Sequence, residues 1–145
     1  MKPVIAVING PSLNRLGTRE PEIYGYTTLA QIIQGLELEF PHVTFTHTQT
    51  NHEGAIIDAL FEAQDNPDVI GIILNAGAYT HTSLAISDAI AAISKPVIEV
   101  HLSNIFAREP IRHISLISGV CAGSICGLGP QSYNLAARYL MTQSS

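Results

Sequence analysis

The residues best suited to acid chemistry in this sequence are Glu99 and His101, which end a short apolar run. They are two positions apart, so on a β-strand both side chains would project from the same face. A carboxylate there can orient the imidazole and keep it charged, as a general acid requires. Spacing alone leaves open that His101 is simply held by backbone groups at a strand end.

A candidate base lies between residues 12 and 26, a connection too long for an ordinary turn. Long polar loops of this kind commonly close over ligands, so we predict an active-site lid here. Cations near Tyr24 would favour its phenolate, and Arg15, Arg19 and Arg108 are the candidate cations. The alternative is that Arg19 and Tyr24 are surface residues without a role.

A third polar stretch, residues 75–83, reads Asn-Ala-Gly-Ala-Tyr-Thr-His-Thr-Ser. A turn that contains glycine and leads into a helix amino end suits polar or anionic groups, although this signal is weak alone. The six histidines show no metal-ligand spacing, and the glycines of 123–129 lack the Lys-Ser/Thr of a phosphate loop. We therefore expect no metal, no nucleotide and no other cofactor.

Hydrophobic periodicity predicts the elements that carry these groups. The predicted strands are Val4–Ile8, Val43–Thr48, Val69–Leu74, Val97–Val100 and about Val120–Cys126. Segments with helical spacing begin near Leu29, Ile56, Leu84 and Leu135. This order predicts one α/β domain over residues 1–145, with a flavodoxin-like three-layer sandwich around a five-stranded parallel sheet.

Boundary residues agree with this pattern. Thr27 or Thr28 and Thr82 or Ser83 are predicted helix caps, and Asn66-Pro67 and Lys95-Pro96 are predicted helix stops. In open parallel sheets ligands bind at the carboxyl ends of the strands, and there the sequence is polar, with Asn9, Gln49, Asn75 and His101. We therefore predict the site at that edge.

Composition narrows the class of protein. The formal net charge of −5 and the absence of a basic run argue against nucleic-acid and anionic-membrane partners. The charged fraction of 13% is low for a monomer, which favours a homo-oligomer. The apolar run Val4–Ile8 is too short for a signal peptide or a membrane span. Cys121 and Cys126 are expected to be free thiols in a reducing cytoplasm.

Taken together, the polar segments resemble the type II 3-dehydroquinate dehydratases, or type II dehydroquinases. The resemblance rests on INGPSLNRLGTREPEIYG (8–25), QTNHEGAIIDAL (49–60), LNAGAYTHTSLAISDAI (74–90), EVHLSNIFAREPIRH (99–113) and ICGLG (125–129). These segments span nearly the whole chain in order. The resemblance implies reversible dehydration of 3-dehydroquinate to 3-dehydroshikimate, a step of the shikimate pathway to aromatic amino acids.

The resemblance also implies a mechanism. Tyr24 would abstract a proton beside the ketone, with Arg19 favouring its phenolate, and an enolate would form. His101, oriented by Glu99, would protonate the departing C1 hydroxyl. The alternative chemistry, a lysine Schiff base, needs a lysine in the pocket. Both lysines of the chain, at positions 2 and 95, fall at the amino ends of predicted strands.

Further matches imply the substrate contacts. Asn75, the amides of Leu102 and Ser103 and the Ser103 hydroxyl match carboxylate-binding positions. His81 and Arg112 match residues that hold the ring hydroxyls.

Asp88 matches a residue that reaches the site of a neighbouring subunit, which fits the family's dodecamers, tetramers of trimers.

One departure from the family pattern concerns catalysis. The family usually has Asn-Gly-Pro-Asn in its first motif, whereas this chain has Ser12 in the last position. The asparagine helps to hold a water or the enolate oxygen, so its loss predicts slower turnover. Two alternatives remain: a catalytically impaired, ligand-binding relative, and a flavodoxin-like binding or receiver module. Against the second alternative, this sequence lacks the acidic cluster after the first strand and the phosphate loop that such modules need.

Overall fold

Five parallel strands form the centre of the computed structural model, which describes residues 2–143. The strands are β1 (Val4–Asn9), β2 (Thr44–Gln49), β3 (Val69–Asn75), β4 (Val97–His101) and β5 (Gly123–Cys126). Their order is β2-β1-β3-β4-β5. The predicted five-stranded parallel sheet with flavodoxin-like order is therefore confirmed. Met1, Ser144 and Ser145 of the predicted domain lie outside the described residues.

Helices cover both faces of the sheet. They are α1 (Pro21–Tyr24), α2 (Leu29–Glu39), α3 (Glu53–Asp65), α4 (Leu84–Ala91) and α5 (Gln131–Gln143). Apolar residues of α2 and α5 share one buried cluster with one face of the sheet, and those of α3 and α4 share a second cluster with the other face. The result is the predicted three-layer sandwich.

The strand sequences explain their positions in the sheet. The side chains of β1, β3 and β4 are almost all buried, as expected for apolar runs covered on both faces. By contrast, β2 reads Thr-Phe-Thr-His-Thr-Gln, is mostly exposed and forms one edge. At the end of β1, a Cβ on Gly10 would lie 2.6 Å from the carbonyl oxygen of Ala76, so glycine lets these two strand ends approach closely.

The predicted caps are found at Thr28 and Ser83. Thr28 forms a capping box with Gln31, and the Ser83 hydroxyl accepts a hydrogen bond from the Ile86 amide at 2.9 Å.

Two predicted boundaries are wrong. The fifth strand begins at Gly123, because Ser118–Val120 form a 3-10 turn. Helix α4 ends at Ala91, well before Lys95-Pro96. Instead, the Lys95 ammonium donates to the Ala63 carbonyl at 3.1 Å, where a cation satisfies the end of α3.

Candidate active site

The carboxyl edge of the sheet carries an imidazole-carboxylate pair at the end of β4. His101 Nε2 lies 2.6 Å from Glu99 Oε2, and both side chains are buried. Their adjacency follows from the strand period of two, which puts both side chains on one face. Since Glu99 occupies Nε2, the nitrogen that His101 has left for a ligand is Nδ1.

Serine hydroxyls complete the surroundings of Glu99. Ser115 donates to Oε2 at 2.9 Å and Ser124 to Oε1 at 3.2 Å, and Ser118 also donates to Oε1. Burial alone would raise the pKa of Glu99, but hydrogen bonds from His101 and Ser118, the charge of His101 and the Ser115 hydrogen bond together hold it below its ordinary value. An ionised Glu99 stabilises a charged imidazole beside it.

Most of the predicted site residues line a single cleft above this pair. Its lining residues are Pro11, Ser12, Leu13, Arg19, Tyr24, Asn75, Gly77, Ala78, His81, His101, Leu102, Ser103, Ile105, Arg108 and Arg112. Segments from three parts of the sequence, residues 11–24, 75–81 and 101–112, therefore meet at the carboxyl ends of β1, β3 and β4, as predicted.

Tyr24 enters the cleft from α1, in the segment between β1 and α2. Arg108 Nη1 donates to the Tyr24 hydroxyl at 2.8 Å, and the Arg19 guanidinium lies 4.6 Å from the centre of the ring. Two of the three candidate cations thus contact the tyrosine. The third candidate, Arg15, is exposed and is not among the lining residues.

Ser12 begins this segment in a left-handed conformation with φ of 68°. Its amide donates to Asn51 Oδ1 at 3.0 Å. Asparagine adopts this conformation more readily than serine, so the backbone here would suit an asparagine.

Polar groups on the remaining walls surround the acid. The rings of His81 and His101 stack with centroids 6.4 Å apart, and His81 Nδ1 lies 2.8 Å from the Ile114 carbonyl oxygen. Arg108 Nη1 also approaches the Ser103 hydroxyl at 3.4 Å. The cleft therefore presents an acid, cations and several hydrogen-bond donors, which is a set suited to a small polyhydroxylated anion.

Asp88 is one of two predicted site residues that are not among those lining the cleft. It is exposed on α4 and is not among the lining residues. Glu99 does not line the cleft either, since it lies buried behind His101.

Sequence reasoning missed several supporting residues, above all Tyr133 and the serines around Glu99. Tyr133 is fully buried on α5, and its hydroxyl donates to Asn9 Oδ1 at 2.5 Å. A tyrosine in the apolar face of a helix was the available signal, because a buried phenol needs a hydrogen-bond partner.

Neither a metal-binding group of three or more His, Cys, Asp or Glu side chains nor a helix able to cross a membrane occurs among residues 2–143.

The fold and cleft define an α/β enzyme with its site at the carboxyl edge of a parallel sheet. The family model "Dehydroquinase class II" matches residues 3–141. The 3-dehydroquinate dehydratase of Chlorobaculum tepidum is 52% identical over 137 residues, 94% of this chain and 93% of the relative. That of Bacillus subtilis is 50% identical over 143 residues, with 97% and 95% covered. The crystal structure of the type II dehydroquinase from Butyrivibrio crossotus matches with a TM-score of 0.93, 44% identity and coverage of 97% and 98%. The chain belongs to the class II dehydroquinase family, which confirms the resemblance identified from its motifs.

Proposed function

We propose that this protein catalyses the reversible dehydration of 3-dehydroquinate to 3-dehydroshikimate through an enolate. The observation that carries the proposal is that one cleft holds Tyr24, hydrogen-bonded by Arg108 at 2.8 Å, together with the His101-Glu99 pair. A base and an acid in one cleft are what an elimination beside a ketone requires. The relatives named 3-dehydroquinate dehydratase support the choice of substrate.

In the proposed reaction, the Tyr24 phenolate takes a proton from the carbon beside the ketone, and the electron pair forms an enolate. Ser12 lines the cleft and is the proposed donor to the oxygen on which negative charge develops. The enolate then re-forms the ketone while the carbon-oxygen bond of the C1 hydroxyl breaks. His101 gives the departing hydroxyl a proton from Nδ1, so that water leaves.

The substrate is held by the remaining lining residues. We assign its carboxylate to Asn75, Leu102 and Ser103, and its ring hydroxyls to His81 and Arg112. The carboxylate subsite draws on backbone amides and an amide side chain, which are donors suited to an anion.

The enolate route fits this chain better than an imine route. An imine needs a lysine at the reacting carbon. The lining residues include no lysine, and the Lys95 ammonium donates to carbonyls at the end of α3. No organic cofactor or metal takes part in the proposed steps.

Residues 12–26 are proposed to act as the lid. They supply Arg19 and Tyr24, and they include the left-handed residues Ser12, Gly17 and Glu20. Closure of this segment on the substrate would exclude water from the enolate.

The active form is proposed to be an oligomer, a dodecamer built from trimers. Large apolar side chains exposed on the isolated chain support this, namely Tyr26, Leu38, Leu84, Phe106, Ile111 and Ile114. Asp88, exposed on α4, is proposed to reach the cleft of a neighbouring subunit. Sedimentation at low concentration that gives a single-chain particle would refute this assembly.

A cytoplasmic role in aromatic amino-acid biosynthesis is proposed on the same grounds. Cys121 and Cys126 are free thiols, which fits a reducing compartment. Cell fractionation with detection of the protein is the direct check.

The second candidate is a catalytically impaired, ligand-binding relative, and Ser12 is the observation that favours it. The test mixes the purified protein with 3-dehydroquinate and follows the ultraviolet absorbance of the conjugated enone, before and after borohydride treatment with substrate. Turnover that survives borohydride supports the proposed enolate reaction. Turnover only in Ser12→Asn supports the impaired relative, and turnover in neither protein contradicts the proposed reaction.

A further inference from the structure

Four side chains form a hydrogen-bonded chain across the carboxyl ends of β3, β1 and β2. Asn75 Nδ2 donates to the Tyr133 hydroxyl at 3.0 Å, which donates to Asn9 Oδ1 at 2.5 Å. Asn9 Nδ2 lies 3.1 Å from His47 Nε2. Asn9, Asn75 and Tyr133 are buried, and His47 lies on the exposed edge strand β2. Of the four, only Asn75 lines the cleft.

A single backbone amide fixes the direction of this chain. The Gly77 amide donates to Asn75 Oδ1 at 3.1 Å, and an amide N–H can only donate. Asn75 must therefore turn Nδ2 toward Tyr133, so the one hydroxyl proton of Tyr133 goes to Asn9 Oδ1. Asn9 then turns Nδ2 toward His47, whose Nε2 must accept and is therefore unprotonated.

The protonation states of the two titratable members agree with this direction. Partial burial lowers the pKa of His47, which favours the neutral ring that can accept. Burial raises the pKa of Tyr133, which keeps its hydroxyl protonated so that it can donate. Each link in the chain thus has one donor and one acceptor.

The hydrogen-bonded chain determines which atom of the Asn75 amide can face a ligand. Oδ1 is bound to the Gly77 amide and one Nδ2 hydrogen to Tyr133, so the second Nδ2 hydrogen is the donor left for the cleft. A reversed amide would turn its oxygen toward a bound carboxylate and repel it. The orientation of Asn75 therefore decides whether it attracts or repels an anion.

We infer that Tyr133, Asn9 and His47 are positioning residues that hold the Asn75 amide with a donor toward the substrate carboxylate. This inference rests on the proposed function, which places that carboxylate at Asn75. The competing explanation is that the chain merely satisfies buried polar groups, in which case only stability would depend on it.

The first arm of the test separates these explanations by kinetics. Tyr133→Phe removes the hydroxyl and keeps the ring, and we expect KM for 3-dehydroquinate to rise about tenfold while kcat stays within about threefold. Tyr139→Phe, on a half-exposed tyrosine of the same helix, is the matched control and should leave both constants unchanged.

At the other end of the hydrogen-bonded chain, His47→Phe should raise KM about threefold, because the nitrogen that accepts from Asn9 is lost. His47→Gln should keep KM within about twofold of the unaltered protein, since its side-chain oxygen can accept from Asn9. Equal KM values for these two variants would remove His47 from the inference.

The second arm measures Asn75 directly and does not depend on turnover. The side-chain amide signals of Asn75 in a 15N-labelled protein, assigned by their loss in Asn75→Asp, should be protected from exchange. Tyr133→Phe should abolish that protection.

Protection that persists in Tyr133→Phe, or a KM that is unchanged although protection is lost, would overturn the positioning role. An unaltered protein without turnover would instead refute the proposed function, and the amide signals would still test the orientation of Asn75.

Discussion

The wall of the cleft at the ends of β3 and β4 presents the buried, hydrogen-bonded side chains of Asn75 and His101, whereas the wall formed by residues 12–26 and Arg108 is partly exposed. Asn75 is 3% and His101 5% exposed. On the other wall, the Arg19 side chain is 31% exposed, and the buried Nε of Arg108 has no hydrogen-bond partner. Asn75 and the proposed acid His101 are thus held in fixed, buried positions, while the groups around the base are held more loosely.

Backbone conformation shows the same difference. Ser12 and Glu20 both have positive φ, a conformation that costs a non-glycine residue about 1 kcal/mol. They flank the short segment that carries Arg19 and leads to Tyr24. Arg19 and Tyr24 are themselves partly exposed, so we expect the base side of the cleft to complete its geometry when substrate binds.

The largest expected effect comes from removing the proposed base. Tyr24→Phe should lower kcat about 10⁴-fold while the dissociation constant for product changes less than about threefold, because the carboxylate subsite is on the other wall. Turnover is followed by enone absorbance and affinity by calorimetry. A large loss of affinity would show that the two walls are not independent.

Next in size is the difference between the two arginines at Tyr24. Arg108 donates to the hydroxyl, whereas Arg19 lies over the ring, so charge on the phenolate oxygen should depend more on Arg108. We expect Arg108→Met to lower kcat about 10²-fold and Arg19→Met about tenfold.

Each arginine variant serves as the matched control for the other, since both lose a charge of the same sign from the same wall. The reverse order of kcat values would mean that Arg19 moves onto the hydroxyl when substrate binds.

The comparison also shows what the sequence could predict. The buried wall could be predicted from the sequence, because β1, β3 and β4 are apolar runs and the Glu99-His101 pair follows from the strand period of two. Arg108 was one of three candidate cations for Tyr24, but the sequence could not choose which of them binds the hydroxyl, because Arg108 lies 84 residues away in a connection without periodicity.

Tyr133 illustrates the same limit within the core. Its hydroxyl meets Asn9 across 124 residues of sequence. The predicted helix begins near Leu135, after this residue, and which strand end its hydroxyl reaches depends on how α5 packs on the sheet.

A smaller effect is expected at the start of the lid. Ser12→Asn introduces an amide donor and suits the left-handed backbone, so kcat should rise about tenfold and the melting temperature should not fall. Ser12→Ala is the control, since it keeps the strain and removes the hydroxyl. Equal kcat values for Ser12→Asn, Ser12→Ala and the unaltered protein would exclude any role of this side chain at the enolate oxygen.

The smallest expected effect concerns the stability of the buried wall in acid. The native pKa of Glu99 lies below its ordinary value of 4.5, so its ionised form favours the folded state. That stability is fully present above the ordinary value and is lost as pH falls through the native pKa. Glu99→Gln should therefore melt about 3 °C lower than the unaltered protein at neutral pH, and the gap should close as the pH falls through the native pKa of Glu99, below 4.5. Glu37→Gln, on an exposed carboxylate of α2, should show no such gap. A gap for Glu99→Gln that stays constant with pH would mean that packing, and not the charge of Glu99, maintains this wall.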